Sequence, residues 1–420
     1  MSVFEIEGGR RLAGEIDIQG AKNSSLPILA ATLLGKGEHI IHNCPRLSDV
    51  DAAVEILRYL GCKVTREGNT LTVDSRDVSR WDIPEELMQE MRSSIVFLGA
   101  ILARMGKAKL SMPGGCELGP RPIDLHLEAL EKLGADIQDE YGFLHCSVQG
   151  RLKGTKIALS FPSVGATENI LLASVLSEGI TTVHNAAQEP EIVDLADFLN
   201  RCGAKVSGAG KSTIVIEGVN SLSATEHSVI PDRIVAATYL CCGAVTGGEV
   251  LLKRVNSSDL ECMLPIFEQM GNTVSASPHS IYLKAPKMLK SVRNIRTMPY
   301  PGFPTDAQAP LMAALTVANG SSMFVENIFE SRYKHVPELC RMGADIKVEG
   351  RVCVVNGVSR LTGAVVRAED LRGGAALMIA GLKAQGVTTL RNIHHIERGY
   401  EDAERYITQL GGSMKRKKEN

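Results

Sequence analysis

The sequence predicts an α/β protein of two domains, each made of three copies of a βαβαββ unit. Two recurring phrases support this prediction. In the first, a helix ends at a glycine and an apolar residue follows three positions later, as in LGCKV and MGADI. This phrase occurs six times at spacings of about seventy residues, so six units fill the chain. Its glycines are Gly61, Gly134, Gly203, Gly271, Gly343 and Gly411.

In the second phrase, an apolar helix is followed by a glycine and a strand, as in SSLPILAATLLGKGEHIIHN and AALMIAGLKAQGVTTLRN. These helices are apolar almost all round, so we expect them to be buried. The second helix of a unit, such as PIDLHLEALEKLG, is amphipathic and should lie outside.

The remaining elements follow in chain order. The stretch MSVFEIEGGRRLAGEI is patterned as a strand and a turn. The glycine at the end of each second helix favours the left-handed conformation that stops a helix. Alternating segments such as KVTREGNTLTVD and DIKVEGRVCVVNGV then indicate hairpins with glycine turns.

Three buried helices packed together, each with a sheet outside, would form one domain, so six units would form two. The alternative is a solenoid of six stacked repeats that acts as a binding scaffold. Solenoid repeats usually span about 20–45 residues. The units of this chain are longer and mix helices with strands, which favours closed domains.

The composition is that of an ordinary globular protein, with 44% hydrophobic and 22% charged residues among 420. The net charge of -2 provides no basic field for nucleic acid, and the basic end MKRKKEN is expected to be a solvated chain end. We expect no secretory signal and no membrane span, because the longest apolar run, from Ile95 to Met105, contains Gly99 and Arg104.

The ten cysteines show no spacing typical of a zinc site. Most of them are expected to be buried small hydrophobic residues in a reducing cytoplasm. Cys116 is the expected exception, because its loop, MPGGCELGPRPIDLH, offers no core in which to bury a thiol.

Polar residues recur just ahead of each buried helix, where the background is otherwise apolar. A helix N-terminus presents free N–H groups and the positive end of the helix dipole, so it favours anions. Asp or Ser at such a position could be a simple N-cap. Lys22, Arg92 and Arg372 instead oppose the dipole and require an anion or a carboxylate partner. The residues are Lys22, Asn23, Arg92, Ser163, Val164, Gly165, Asp232, Arg233, Asp306, Asp370 and Arg372.

This recurrence predicts that six helix ends meet at a cleft between the two domains. The ligands that such a cleft would bind are anionic, with phosphate or carboxylate groups.

Taken together, the motifs resemble the enolpyruvyl transferases, and among them the enzymes of peptidoglycan synthesis, over essentially the full length. The motifs are GAKNSSLPILAA, PGGCELGPRPIDLHLEALEKLGA, SVGATENILLA, EPEIVD, PGFPTDAQAP, EDLRGGAAL and IERGYE. The resemblance implies a two-domain inside-out α/β barrel with three βαβαββ units per domain. One domain would span residues 22–229, with the Cys116 loop and the UDP-sugar contacts. The other would join residues 1–21 to 230–420 and carry Asp306, Asp370 and Arg398.

The resemblance also implies the reaction. The enolpyruvyl group of phosphoenolpyruvate would pass to the 3-hydroxyl of UDP-N-acetylglucosamine with release of phosphate, the first committed step of peptidoglycan precursor synthesis. In this addition and elimination Cys116 would be the general acid, Asp306 the base, and Lys22 a third catalytic residue. A thiol with a pKa of about 8.5 is mostly protonated near neutral pH and can donate a proton.

As a thiolate, Cys116 would also be a good nucleophile. The resemblance implies a covalent 2-(S-cysteinyl)pyruvate phosphothioketal on Cys116 and inactivation by fosfomycin. Flanking glycines would let the loop close over the substrates and exclude water. Without the motif, an inert cysteine on a flexible loop is an equal alternative.

The remaining site residues are also implied by the resemblance. Arginine suits these positions because its guanidinium group meets phosphate or carboxylate with two hydrogen bonds. Asp370 would lie at the cleft in an undefined role, and no metal or cofactor is implied. The expected phosphoenolpyruvate contacts are Lys22, Asn23, Arg121, Arg372 and Arg398. The expected UDP-sugar contacts are Asn23, Arg92, Arg121, Pro122, Ile123, Asp124, Leu125, Ser163, Val164, Gly165, Asp306 and Ile328.

Two positions depart from a simple match. Phe161 stands where some family members carry a lysine near the nucleotide, and a phenylalanine could stack on uracil instead of pairing with phosphate. His394 and His395 suggest a metal site, but without a third ligand a loop is the favoured interpretation.

Three rivals stay open. The first is an enzyme that makes 5-enolpyruvylshikimate 3-phosphate, which shares the fold and the chemistry but lacks the cysteine loop. The second is a catalytically silent paralogue that binds UDP-sugars, against which Cys116, Asp306 and Lys22 are all present. The third, an RNA-end-processing enzyme on related units, would require a basic face or a histidine motif. The oligomeric state, monomer or weak oligomer, is left open.

Overall fold

The structure is a computed structural model that describes residues 2–91, 93–111 and 123–419. Four of the expected site residues, Arg92, Cys116, Arg121 and Pro122, lie outside the described residues. The described chain divides into two compact units. We call residues 2–19 together with 231–419 the carboxy-terminal unit, and the described part of residues 20–230 the amino-terminal unit.

The helices of the described chain are mostly short, and those of the first kind predicted above are buried along almost their whole length. They are α1 (Lys22–Ala31), α2 (Ser48–Leu60), α3 (Glu85–Glu90), α4 (Phe97–Met105), α5 (Asp124–Lys132), α6 (Val164–Ser174), α7 (Pro190–Arg201), α8 (Arg233–Val245), α9 (Leu264–Gln269), α10 (Thr305–Leu315), α11 (Val336–Arg341), α12 (Leu371–Lys383), α13 (His394–Glu397) and α14 (Ala403–Gln409).

The strands are two to six residues long. They are β1 (Ser2–Glu7), β2 (Ala13–Asp17), β3 (Gly35–Lys36), β4 (Glu38–His42), β5 (Lys63–Glu67), β6 (Thr70–Asp74), β7 (Asp82–Ile83), β8 (Lys107–Ser111), β9 (Asp136–Glu140), β10 (Phe143–Ser147), β11 (Lys156–Ala158), β12 (Ile180–His184), β13 (Lys205–Ser207), β14 (Thr213–Glu217), β15 (Leu222–Ser223), β16 (Glu226–Ser228), β17 (Glu249–Lys253), β18 (Thr273–Ser277), β19 (Ser280–Lys284), β20 (Asn294–Arg296), β21 (Ser321–Val325), β22 (Asp345–Glu349), β23 (Val352–Asn356), β24 (Val365–Arg367), β25 (Val387–Arg391) and β26 (Ser413–Lys418).

Within the described residues, six sheets of four strands share one pattern, for example β7-β8-β10-β9. The outer pair, β7 and β8, is parallel, and the other two pairs are antiparallel. The parallel pair requires a crossover helix, whereas an antiparallel hairpin needs only a short turn. This pattern confirms the predicted strand–helix–strand–helix–hairpin unit.

Three sheets are completed by strands from distant parts of the sequence. Strand β16 pairs with β4, and β2 pairs with β17. In both sheets the first strand of the βαβαββ unit is therefore far in the sequence from the helix that follows it in the unit. In the last sheet, β1 lies between β25 and β26 and takes the place of a hairpin strand. The six units therefore do not follow one another as uninterrupted segments.

Each of the two compact units has its own hydrophobic core around its buried helices. In the carboxy-terminal unit, α8, α10 and α12 all contact one another. In the amino-terminal unit, α4 contacts both α1 and α6. Burial of all faces explains why these helices carry apolar residues all round and why a polar side chain at their first turn is conspicuous. None of the helices in the described residues has the length and apolar character required to cross a membrane.

Three expectations need correction. The basic end is not a solvated tail, because residues 413–418 form β26, in which Met414 is buried, and Arg416 and Lys417 pair with glutamates of neighbouring elements. The segment with His394 and His395 is not a loop, since it forms the single helical turn α13. Cys340 is exposed, whereas the sequence predicted an exception to burial only at Cys116, which lies outside the described residues.

Candidate active site

In the carboxy-terminal unit, the carboxylate of Asp306 lies between two buried arginines. Its Oδ1 accepts a hydrogen bond from Nη2 of Arg332 at 2.9 Å, and its Oδ2 accepts one from Nη2 of Arg372 at 3.0 Å. The Asp306 side chain is 28% exposed, whereas both arginines are almost fully buried. Because Pro304 occupies the N-cap position of α10, Asp306 is not a simple cap. Its carboxylate is instead oriented by the two guanidinium groups.

Arg372 is also held from a second direction. Its Nη1 donates to the hydroxyl of Tyr400 at 3.1 Å, and that hydroxyl lies 2.9 Å from Oγ1 of Thr238. Burial alone would lower the pKa of the guanidinium group, but Tyr400, Asp306 and Asp232 outweigh burial and raise it above its ordinary value. Arg372 is therefore a permanent positive charge at the start of α12.

Asp370 combines an N-cap with a second buried oxygen. Its Oδ1 accepts hydrogen bonds from the backbone N–H groups of Arg372 and Gly373, which caps α12. Its buried Oδ2 has no hydrogen-bond partner among the described residues. His335 is buried nearby, and its burial lowers its pKa to about 4, despite the opposing effect of Asp370. Asp370 therefore caps α12 through Oδ1, and Oδ2 takes no part in the cap.

Ile328, three residues after the end of β21, and Arg398, directly after α13, belong to the same unit. The backbone N–H of Ile328 donates to Oε1 of Glu326 at 2.9 Å. Arg398 is half-buried at the C-terminal end of α13, and the carbonyl of Gly399 accepts from Nε2 of Gln19 at 3.2 Å. Each segment is therefore held by a hydrogen bond to a buried side chain, Glu326 at Ile328 itself and Gln19 at the residue after Arg398.

In the amino-terminal unit, Lys22 is the first residue of α1 and is paired. Its Nζ donates to Oδ2 of Asp49 at 3.1 Å, and the two side chains are only 12% and 2% exposed. Asp49 lies in the first turn of α2, where a carboxylate is favoured by the helix dipole. Asn23 follows Lys22 and is half-buried. The charge that opposes the dipole of α1 is thus stabilised by a neighbouring carboxylate.

The start of α1 is also fixed by Asp194 of α7. Its carboxylate accepts from the hydroxyl of Ser24, lies 2.8 Å from Nε2 of His227, and accepts from the backbone N–H of Ile230 at 3.2 Å. Asp194 and His227 are both buried. Asp194 therefore connects the helix that carries Lys22 to the segment where the chain leaves the unit.

The expected UDP-sugar contacts on α5 and α6 lie side by side. Ser163 is the N-cap of α6, and its Oγ accepts from the N–H of Ala166 at 3.3 Å. A Cβ atom at Gly165 would lie 3.0 Å from Cε1 of His126 on α5, so only glycine leaves this contact undisturbed. The structure therefore places residues 123–125, at the start of α5, close to the start of α6.

His126 is held as a neutral acceptor. The amide of Asn169 accepts from the N–H of Gly99 through Oδ1 at 2.8 Å and donates through Nδ2 to the carbonyl of Ile95 at 2.9 Å. The same Nδ2 lies 2.8 Å from Nδ1 of His126, which must therefore accept a hydrogen bond. Burial lowers the pKa of His126 to about 4, and Asp124 opposes this only in part.

Two further features accompany these helix ends. Phe161, two residues before Ser163, is 41% exposed, which is unusual for an aromatic side chain. Glu168 on α6 is buried, and burial, followed by Glu191 and Glu189, raises its pKa well above the ordinary value. The acidic motif EPEIVD thus contributes charge next to α6.

The structure groups the expected residues by unit. The amino-terminal unit contains Lys22, Asn23, residues 123–125 and residues 163–165. The carboxy-terminal unit contains Asp306, Ile328, Asp370, Arg372 and Arg398. Sequence reasoning missed Asp49, Arg332 and Glu326. The requirement of a carboxylate partner for Lys22 was the only signal for Asp49, and no pattern distinguished the other two. In the described residues, no group of three or more His, Cys, Asp or Glu side chains could hold a metal ion.

Comparisons with known proteins match this chain to one family. The model of the EPSP synthase (3-phosphoshikimate 1-carboxyvinyltransferase) family matches residues 6–407. A UDP-N-acetylglucosamine 1-carboxyvinyltransferase 2 of Caldanaerobacter subterraneus subsp. tengcongensis is 52% identical over 99% of this chain and 100% of its own length. A UDP-N-acetylglucosamine 1-carboxyvinyltransferase 1 of Symbiobacterium thermophilum is 48% identical over 98% of this chain and 95% of its own length.

Solved structures agree on the fold. The enolpyruvyl transferase NikO from Streptomyces tendae superposes with a TM-score of 0.90 at 27% identity, over 99% of this chain and 98% of its own. An EPSP synthase from Acinetobacter baumannii superposes with a TM-score of 0.78 over the full length of both chains. At 20% identity, this second likeness concerns the fold alone.

Proposed function

Because this chain belongs to the enolpyruvyl transferase family, we propose that it transfers the enolpyruvyl group of phosphoenolpyruvate to the 3-hydroxyl of UDP-N-acetylglucosamine and releases phosphate. The observation that carries the choice of acceptor is the 52% identity, over the whole length, to a UDP-N-acetylglucosamine 1-carboxyvinyltransferase. The reaction would supply a precursor of peptidoglycan. We place it in the cytoplasm, in keeping with the nine free cysteines of the described chain.

In this proposal Asp306 takes the proton from the sugar hydroxyl. Its position supports the role, because the carboxylate is partly exposed while its two arginine partners are buried behind it. The arginines fix its orientation, so the carboxylate points in a defined direction. Nε of Arg332 and Nε of Arg372 are buried without a hydrogen-bond partner among the described residues, which leaves both groups with unused donors.

Phosphoenolpyruvate is an anion and would be held by positively charged side chains. The residues proposed to bind phosphoenolpyruvate are Lys22, Asn23, Arg372 and Arg398. Arg121 is added to them on the sequence motif alone. Lys22 supports this assignment because it is a largely buried cation at the start of α1, and Asp49 holds its ammonium group in place. Five N–H donors on each arginine allow bidentate contact with a phosphate or a carboxylate.

The UDP-sugar would be bound along the adjoining starts of α5 and α6. Helix N-termini favour the diphosphate because they present N–H groups and a positive dipole end. The residues proposed for this ligand are Asn23, Ile123, Asp124, Leu125, Ser163, Val164, Gly165, Asp306 and Ile328. The sequence motifs alone add Arg92, Arg121 and Pro122.

The chemistry proceeds by addition and elimination. Asp306 removes the hydroxyl proton as the sugar oxygen bonds to C2 of phosphoenolpyruvate, and Cys116 delivers its thiol proton to C3. The resulting tetrahedral intermediate carries both the sugar and the phosphate on C2. Loss of a C3 proton then restores the double bond as the C2–O bond to phosphate breaks. The balance requires no metal and no oxidant.

The decisive experiment measures phosphate release from phosphoenolpyruvate with UDP-N-acetylglucosamine and, in parallel, with shikimate 3-phosphate. We expect release only with the UDP-sugar. Release only with shikimate 3-phosphate would overturn the acceptor but keep the reaction type. Silence with both acceptors, from protein whose folding is verified by circular dichroism, would overturn the proposed activity in favour of a catalytically silent paralogue.

A further inference from the structure

Glu326 is a buried carboxylate that the proposed chemistry does not use. It follows β21 and is 1% exposed. Its backbone N–H donates to the carbonyl of Arg351 at 2.8 Å, which fixes the main chain at this point. A buried carboxylate is costly unless its oxygens accept hydrogen bonds, so its surroundings indicate what it holds in place.

The carboxylate accepts four hydrogen bonds within the described residues, and all four come from neutral groups. Oε1 accepts from the hydroxyl of Thr297 at 2.9 Å and from the backbone N–H groups of Ile328 and Phe329 at 2.9 and 3.1 Å. Oε2 accepts from the hydroxyl of Thr305 at 3.0 Å. One oxygen therefore orders the segment that contains Ile328, and the other reaches the first residue of α10.

Thr305 stands directly before the proposed base. Its side chain is bonded to Glu326, and its carbonyl accepts from Nη2 of Arg332 at 3.0 Å. The same Nη2 donates to Oδ1 of Asp306. The first turn of α10 is thus held by Glu326 on one side and by Arg332 on the other, and no side-chain cap is present at Pro304 to do this work.

We propose that Glu326 is a positioning residue that holds the start of α10, with Asp306, in register with the Ile328 segment. The proposal rests on the proposed function, because it concerns the placement of the base relative to a UDP-sugar contact. Glu326 touches neither substrate in this proposal. Its effect reaches the reaction through Thr305, and a displacement of about 1 Å at a catalytic group can reduce turnover on the order of 100-fold.

The test uses Thr305, because a change there removes one hydrogen bond to the Glu326 carboxylate and leaves the other three in place. Thr305→Val keeps the shape of the side chain and removes its hydroxyl, whereas Thr305→Ser keeps the hydroxyl and removes a methyl group. We expect Thr305→Val to lower kcat by about tenfold or more with little change in KM for UDP-N-acetylglucosamine, and Thr305→Ser to restore most of kcat.

Glu326→Gln is the matched control. Its amide oxygen can accept the three bonds made to Oε1, and its amide nitrogen can donate to the hydroxyl of Thr305, which then acts as the acceptor. We therefore expect Glu326→Gln to keep kcat within about threefold of the wild-type value. A tenfold loss in this variant would show that the charge itself matters and would overturn a purely positional role.

Two results would overturn the proposal directly. One is a wild-type kcat in Thr305→Val, and the other is an equal loss in Thr305→Val and Thr305→Ser. Amide hydrogen exchange provides a readout that does not depend on turnover. Faster exchange in the first turn of α10, with unchanged exchange at Ile328 and Phe329, is expected for Thr305→Val, and unchanged exchange throughout would also refute the link. A wild-type chain that is silent with both acceptors would instead remove the proposed function.

Discussion

At the scale of single residues, the cations at the helix starts are paired within their own units. Lys22 pairs with Asp49, and Arg372 pairs with Asp306. Each carboxylate reduces the cost of placing a positive charge at the positive end of a helix dipole. A cation at a helix start requires an anion or a carboxylate partner, and the structure supplies the carboxylate. A bound substrate would add its own negative charge to an arrangement that is already oriented.

The pairing makes Asp49 important for activity, although it is not proposed to touch a substrate. We expect Asp49→Asn to lower kcat/KM for phosphoenolpyruvate by about tenfold, because the neutral amide no longer holds the Lys22 ammonium in place by charge. Steady-state phosphate release measures the effect. Asp51→Asn is the control, since Asp51 lies in the same turn but is exposed. Equal activity in both variants would exclude the positioning role of Asp49.

The role proposed for Cys116 has a matched control in the exposed Cys340. We expect Cys116→Ser to lower turnover by about 100-fold or more, because a serine hydroxyl is a far weaker acid than a thiol. Mass spectrometry after treatment with fosfomycin should find an adduct on the wild type and on Cys340→Ser but none on Cys116→Ser. An adduct that persists in Cys116→Ser would contradict the assignment.

At the scale of elements, the contact between α5 and α6 depends on a neutral histidine. The pKa of His126 is about 4 in the folded state, below its ordinary value of 6.5. Between these values the unfolded chain binds more protons, so folding stability falls as the pH decreases through this window. The difference in pKa corresponds to at most about 3.5 kcal/mol of folding stability for this one group.

We therefore expect the urea midpoint of the wild type to fall between pH 7 and pH 5, and to fall less in His126→Gln. Protonation of Nδ1 would abolish its capacity to accept from Asn169, whereas a glutamine keeps an acceptor at every pH. His279→Gln, a change at an exposed position, should retain the full pH dependence of the wild type. An identical pH dependence in all three proteins would refute the role of His126.

Strand β26 shows why a basic chain end was misinterpreted from sequence. Its lysines and arginine follow one another with little apolar content, and a partner such as Glu5, which pairs with Lys417, is far away in the chain. We expect Met414→Ala to lower the free energy of unfolding by about 2–4 kcal/mol, because Met414 is buried. Lys415→Ala, at the next and exposed position, should change it by less than about 0.5 kcal/mol. Equal urea midpoints for the two variants would argue for a solvated end.

At the scale of the whole molecule, the predictions of family and fold class are confirmed. They succeeded because the periodic signals are local: an apolar helix, a stop at a glycine with positive φ such as Gly61, and an alternating hairpin. The domain bounds and the site residues stay predictions. What sequence reasoning could not find, such as Arg332 beside Asp306 or the β1–β26 pair, depends on contacts between segments that no local pattern connects.

The placement of β1 between β25 and β26 has a consequence for how the protein is made. Strand β1 leaves the ribosome about 400 residues before β26, which at roughly 5–20 residues per second is a delay of about 20–80 s. Residues 20–230, in contrast, contain all the strands of the amino-terminal unit and can fold as soon as they have emerged. Translation thus favours an order in which that unit folds first, while β1 has no partner strand until β25 and β26 have been made.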